Sequence, residues 1–252
     1  MSETTNLRPD RAAWLKGPAA SCSMKPEVLA RPWRLVLLGA PGVGKGTQAE
    51  LLGSRLKACQ LSTGDVFRAA KGLKECERSP AMTAALGYMS RGELVPDTTV
   101  LAMIQERTSC LTCGGGFLLD GFPRTVTQAE ALQGILKEKG IKLDGVLDYR
   151  LPLEEIVSRL SGRRTCAGCK AVYHVTGRPS KVAGVCDQCG GKLVQREDDR
   201  AEAVRVRMAA YQQSTSPLTA FYEKLGLLIT IEATGTPEEI FLRTVDVLQA
   251  RI

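Results

Sequence analysis

The sequence predicts an α/β fold: a parallel five-stranded sheet with helices on both faces, interrupted by two small insertions. Three observations carry this. Short, wholly apolar runs recur along the chain, as strands buried on both faces require. Helical periods separate them, which places the strands in parallel. Two stretches, 62–95 and 165–200, break the alternation. The composition agrees, since 252 residues with 44% hydrophobic and 24% charged residues make a globular chain with one sizeable core. Only 5% of residues are aromatic, so that core is expected to be aliphatic. No apolar run is long enough to span a membrane.

Residues 1–32 read as a disordered tail. They hold Pro9, Pro18, Pro26 and Pro32, show no sustained period, and lack the apolar block of a secretory signal. Met24 offers a second start position within them. The first strand is Leu35–Leu38, and a helix follows from Gly46 to Leu56. A weaker strand precedes Ser62. Further strands are expected at Phe117–Leu119, Val146–Leu151 and Leu227–Ile231. The helical segments between them are Thr125–Lys139, Pro152–Arg164, Asp198–Gln213 and Pro237–Ala250. The core is thus 33–61, 96–164 and 201–252. The insertion 62–95 reads as helices with turns; 165–200 is rich in Gly and Cys.

Between the first strand and helix lies Gly39-Ala40-Pro41-Gly42-Val43-Gly44-Lys45-Gly46-Thr47. Glycines let backbone N–H groups turn toward a phosphate, and the helix N-terminus adds partial positive charge. Lys45 is placed to reach a nucleotide's terminal phosphates. This makes the fold P-loop NTPase-like. The hydroxyl stands at Thr47, one place later than in the strict motif, which weakens the case for direct Mg²⁺ ligation.

The net charge is +7. Arg159 to Arg207 carries eleven Lys/Arg against five Asp/Glu. Such a surplus suits nucleic acid, anionic lipid or phosphorylated small molecules.

Cys166-x-x-Cys169 and Cys186-x-x-Cys189 form two knuckles, enough for a closed four-thiolate shell around a structural metal. An insertion of about 35 residues has little core of its own, so metal would supply the missing stability. The cysteine total is odd, nine, which argues for a reducing compartment rather than a disulfide framework. Cys110-x-x-Cys113 is read as ordinary thiols near a strand. Cys22, Cys59 and Cys76 carry no signal. The single histidine, His174, reads as a packing or surface residue.

The phosphate loop with Gln48-Ala49, then Ser62-Thr63-Gly64-Asp65, Gly92-Glu93-Leu94-Val95-Pro96-Asp97, Asp120-Gly121-Phe122-Pro123-Arg124, Gly162-Arg163-Arg164 and Arg196-Glu197-Asp198-Asp199, resembles the adenylate kinases from about Arg34 to the C-terminus. The cysteines mark the subgroup with a zinc-bearing long lid. The resemblance implies Mg·ATP + AMP ⇌ 2 ADP, an AMP-binding domain at 62–95 and a lid domain at 165–200. It places ATP on Gly42, Val43, Gly44, Lys45, Gly46 and Thr47 with Arg159 and Arg163. It places AMP on Thr63, Arg68, Gly121, Arg124 and Gln128 with Arg196 and Arg207. The catalytic cations would be Lys45, Arg124, Arg159, Arg163, Arg196 and Arg207. Asp120 resembles a carboxylate that orients the Mg²⁺ shell. The physics fits: two polyanions brought end to end need many cations, and guanidinium forks bind phosphate oxygens in pairs. No general base is needed, since the accepting phosphate is already ionised.

Taken singly, Arg159 could equally be a solvated surface charge, Asp65 a helix cap and Arg164 structural. The chain departs from the family pattern in a longer 65–92 stretch and in Phe67 where leucine is common. The expected cofactors are Mg²⁺ with ATP and structural Zn²⁺. A cytoplasmic monomer that binds no nucleic acid and no membrane is expected. Two rivals remain open: a kinase for UMP, CMP or GMP, and a zinc-ribbon nucleic-acid-binding ATPase. Sparse aromatics in the lid weigh against the second.

Overall fold

The computed structural model describes residues 14–15, 31–70, 72–74, 78 and 80–251. In chain order the elements are β1 (Trp33–Gly39), α1 (Lys45–Leu56), β2 (Cys59–Ser62), α2 (Thr63–Ala70), α3 (Pro80–Arg91), α4 (Asp97–Gln105), α5 (Thr108–Leu111), β3 (Gly116–Asp120), α6 (Val126–Glu138), β4 (Gly145–Arg150), α7 (Leu153–Gly162), β5 (Arg163–Cys166), β6 (Val172–His174), β7 (Leu193–Val194), α8 (Ala201–Ala210), α9 (Pro217–Lys224), β8 (Leu228–Glu232) and α10 (Pro237–Gln249).

Five strands form one parallel sheet in the order β2-β3-β1-β4-β8. All five expected strands are present. Strand β1 shows why the sequence forces layers on both faces. Its side chains alternate, so Leu35 and Leu37 enter one core with Ala49 and Leu52 of α1 and Ile240 and Leu248 of α10. Val36 and Leu38 enter the other, with Val66 and Phe67 of α2, Met103 of α4, Leu132 of α6 and Tyr222 of α9. Full burial of each such aliphatic side chain contributes about 1.5–3 kcal/mol. Phe67 sits wholly in that second core.

The sheet's registers place the site. Ser62 of β2 pairs with Asp120 of β3, and Asp120 pairs with Leu37 of β1. The carboxyl ends of three neighbouring strands therefore deliver the phosphate loop, Thr63 and Asp120 to one edge, where ligands bind in open parallel sheets.

The insertion 165–200 is built on a second, antiparallel sheet, β6-β5-β7. The sequence left these strands unrecognised, because two- to four-residue strands carry no usable period. Helix α7 stops at Gly162, so Arg163 and Arg164 lie on β5 and not on the helix expected to reach Arg164. The reason is steric: a Cβ at Gly162 would fall 2.2 Å from His174 Nε2, and the close packing of β6 there takes the chain into the sheet. The expected helix Asp198–Gln213 divides into a 3-10 turn (Glu197–Asp199), α8 and a π-turn (Tyr211–Thr215). Helix α9, opened by Pro217, was not foreseen.

The tail expected to be disordered contains a buried residue. Trp14 is 2% exposed and belongs to the second core. A single aromatic within a proline-rich stretch has no periodicity, so sequence patterning cannot detect it. Most of 1–32, with Cys22 and the alternative start, lies outside the described residues, as do Cys76 and Glu77 in the longer 65–92 stretch.

Candidate functional site

One cavity of about 780 Å³ opens above the carboxyl edge of the sheet, between the core and both insertions. Lys45, Arg68, Arg124, Arg159, Arg163, Arg196 and Arg207 all line it. Residues far apart in sequence thus meet around one cavity.

The phosphate loop forms one end. Gly42 and Gly44 have φ of 86° and 105°, which L side chains rarely adopt. A Cβ at Gly42 would also fall 2.6 Å from Leu160. These two positions need glycine on both counts or on conformation alone. Val43 turns its side chain into the core, leaving only its backbone to the loop. The Lys45 ammonium donates to the carbonyls of Gly39 (2.7 Å) and Ala40 (3.0 Å). Burial holds its pKa down at about 8, with Asp120 opposing and Arg124, Arg207 and Arg163 reinforcing the shift. Asp120 is pushed the other way by burial, against the pull of Lys45. Thr47 and Gly46 lie on the cavity wall, with Asp120 facing Gly46.

Arg159 belongs to the loop and not to open solvent. It leaves α7 to donate to Val43 O (3.2 Å), Ala233 O (2.8 Å) and Gly235 O (3.2 Å).

The other end is built by β2, α2 and the turn after β3. Arg68 donates to Asp65 Oδ1 at 2.6 Å, and burial is outweighed there by Asp65, which raises its pKa. Asp65 is thus an arginine partner inside the first turn of α2 and not its cap; the capping oxygen is Ser62 Oγ, which accepts from the Asp65 N–H at 3.3 Å. Arg124 donates to Gly121 O (2.9 Å), and burial followed by the nearby Arg207 brings its pKa down to about 10. Thr63 and Gln128 were expected on this wall. Both are buried with their polar groups engaged: Thr63 Oγ1 donates to Gly121 O at 2.9 Å, Gln128 Oε1 accepts from the Arg124 N–H at 2.7 Å, and Gln128 Nε2 donates to Asp97 Oδ1 at 2.7 Å. Gln128 is 2% exposed.

The insertion 165–200 and α8 close the far wall. Arg163 makes a two-pronged ion pair with Asp199, through Nε–Oδ2 at 2.7 Å and a second, shorter Nη2–Oδ1 contact. Arg207 holds Asp198 Oδ2 (2.9 Å) and Asp199 Oδ1 (3.3 Å). Arg196 donates to Thr165 Oγ1 at 2.8 Å, and burial, then Arg163, lowers its pKa to about 10. Sequence reasoning gave no role to Asp97, Asp198 or Asp199. It also missed Lys170 and Arg178, which add two more cations to the lining. A carboxylate pair directly before an arginine-rich helix was the available signal. His174 acts structurally, accepting from the N–H groups of Thr176 (3.2 Å) and Gly177 (3.0 Å).

The four knuckle cysteines converge, all sulfurs lying within 4.8 Å of one another. Tetrahedral Zn–S bonds of about 2.3 Å would set sulfurs about 3.8 Å apart. Cys166–Cys189 at 3.4 Å and Cys169–Cys186 at 3.5 Å already match that cage closely. Tyr173 bonds to the Cys186 sulfur at 3.5 Å and lowers that thiol, while burial raises Cys169, so the fit to a metal rests on the geometry of the four sulfurs. The residues therefore fit a structural ion. In the third pair, Cys113 has the sulfur of Cys59 beside it, at 3.3 Å.

Among the described residues, no helix is long and apolar enough to cross a membrane. The family model for adenylate kinase matches residues 37–227. The chain is similar to an adenylate kinase of Carboxydothermus hydrogenoformans, 50% identical over 216 residues that cover 86% of this chain and 99% of that protein. It is likewise 50% identical to one from Geobacter sp. strain M21, over 82% of this chain and 94% of that one. An adenylate kinase of Streptomyces griseus is 45% identical, over 86% and 98%.

Proposed function

The chain belongs to the adenylate kinase family, and from that premise we propose how its residues divide the work of the reaction ATP + AMP ⇌ 2 ADP. The observation that carries the assignment is the convergence of one lysine and six arginines on a single two-ended cavity.

Phosphoryl transfer between nucleotides is mainly positioning and charge neutralisation. The donor's phosphates belong at the loop, over Gly42–Thr47, with Lys45 as the cation on the bridging end. Lys45 must exchange two carbonyl partners for phosphate oxygens. Its depressed pKa means that an anion is needed to hold the full charge. Arg159 braces the loop from behind and faces its outer side. AMP belongs at the other end, its phosphate between Arg68 and Arg124. Gln128 is assigned to the adenine edge on the family resemblance; here it is buried off the cavity wall, held by Asp97 and the Arg124 N–H, and would have to turn outward to meet a base. Thr63 braces the same wall through Gly121. Arg163, Arg196 and Arg207 face the gap between the two nucleotides, where charge develops on the transferred group. Asp198 and Asp199 hold two of those forks in place beforehand.

Mg²⁺ travels with ATP and neutralises phosphate charge; Asp120 and Thr47 are the residues placed to meet its hydration shell. No nucleophilic side chain and no base takes part, since the AMP phosphate attacks directly and in line. Closure of the AMP-binding domain (62–95) and the lid domain (165–200) over the core would exclude water. In the lid, Cys166, Cys169, Cys186 and Cys189 would hold Zn²⁺, which supplies rigidity only, because four protein ligands leave no open position. Reduced thiols fit a cytoplasmic location, and we assign a monomer with no nucleic-acid or membrane partner.

The test is ADP formation from ATP with AMP, UMP, CMP and GMP in turn. AMP at least tenfold above the others in kcat/KM is expected. Equal turnover of another monophosphate would remove the assignment of Gln128 to adenine.

A further inference from the structure

Trp14 lies outside the stretch the family model covers, residues 37–227, yet it is one of the largest fully buried side chains in the protein. Its indole Nε1 donates to the carbonyl of Ser62 at 2.9 Å. Its own carbonyl accepts from Arg107 Nε at 2.7 Å. Arg107 is itself 2% exposed and donates from Nη1 to both Met103 O (3.0 Å) and the Glu106 carboxylate (2.8 Å). A buried guanidinium needs all its partners, so the Trp14 carbonyl is built into the core.

Ser62 ends β2, and Thr63, next in sequence, opens the AMP-binding insertion. Arg107 lies in the core, directly beyond the far end of α4, the helix that follows the insertion. Between them the ring packs in the cluster that joins Val66 and Phe67 of α2, Met82 and Ala85 of α3 and Met103 of α4. Leu15, the next residue, packs against the same cluster and lines the nucleotide cavity.

We propose that Trp14 is a positioning residue for the acceptor nucleotide: it ties the entry of the 62–95 insertion, at Ser62, to the core at Arg107 and lays Leu15 on the cavity wall. The inference rests on assigning that insertion to AMP. The loop that takes ATP starts from β1, whereas Trp14 is bonded to the end of β2, so the two substrates are expected to respond differently.

The experiment is full steady-state kinetics on Trp14→Ala and Trp14→Phe in the full chain, with both substrates varied, well below each variant's melting temperature. Trp14→Ala is expected to raise KM for AMP at least tenfold while KM for ATP stays within twofold. Trp14→Phe keeps most of the packing but removes the donor to Ser62, and is expected to raise KM for AMP about threefold. If the alanine variant does not fold, the phenylalanine variant decides. An unchanged KM for AMP, or equal rises in both KM values as general destabilisation would give, overturns the proposal. Absence of AMP-dependent ADP formation in the unaltered protein would instead overturn the assignment of the insertion.

Discussion

Asp199 grips Arg163 with both carboxylate oxygens while its own side chain is completely buried, and it also touches Arg207. One carboxylate thus sets the positions of two guanidinium groups that line the cavity. Losing one partner of a buried pair costs about 3–5 kcal/mol, because the remaining charge is stranded. Asp199→Ala is therefore expected to lower the melting temperature clearly. Asp199→Asn keeps the shape and loses the charge. It should fold, yet drop kcat/KM about 10²-fold through misplaced arginines. Turnover within threefold of the unaltered protein would show that the two forks need no such anchor.

Lys45 and Arg124 give the opposite pattern between stability and activity. Both carry pKa values lowered mainly by burial, so both cost stability in their charged forms. Lys45→Met removes that cost and should melt at or above the temperature of the unaltered protein. Transfer should nevertheless fall at least about 10³-fold, as when a preorganised charge is taken from a transition state. Arg124→Ala should lose transfer by a similar factor. Melting curves and ADP formation on the same samples check this; near-normal turnover in either variant removes its role.

The sheet and the cation wall were legible in the sequence for a physical reason. Strands buried on both faces must be apolar throughout, as Leu35–Leu38 is, and a phosphate loop needs glycines that nothing else explains. The strands of the cysteine-bearing insertion were not legible, because Arg163–Cys166 and Leu193–Val194 owe their conformation to pairing and packing and not to any pattern of their own. Asp97, Asp198 and Asp199 escaped notice for a related reason. A carboxylate that orients another residue is known only by its partner, and the partner lies elsewhere in the chain. Trp14 was hidden by its setting among prolines.

The Lys45 ammonium also predicts a pH dependence. Its pKa is lowered from 10.5 to about 8, so the free protein has lost half of this proton near pH 8 and most of it a unit higher. Phosphate oxygens favour the charged form. ATP binding above pH 8 should therefore take up a proton, and affinity should fall with rising pH, approaching tenfold per unit until the ordinary lysine value is reached. Titration calorimetry in two buffers of different ionisation enthalpy measures the uptake. Lys45→Arg should abolish it in this window. Uptake that persists unchanged in that variant would assign the proton to another group.

Removal of the lid's metal should separate stability from chemistry. The buried residues around the knuckles are only Cys166, Ala171, Tyr173, Cys186 and Leu193, with Cys169 at the edge. That is too little apolar surface to order three short strands. Structural zinc contributes on the order of 10 kcal/mol to domains of this kind. Even a third of that, spread over a chain of this length, lowers melting by roughly 10 °C. Chelation, or Cys166→Ser, should therefore lower the first melting transition by about that much. At temperatures below it, kcat should stay within about threefold, because no cysteine reaches the transferred phosphate in this scheme. Zinc released per chain on blocking the thiols, read with a metal-ion indicator dye, should approach one. Unchanged melting after verified metal loss would mean that hydrogen bonding within the three strands suffices without an ion.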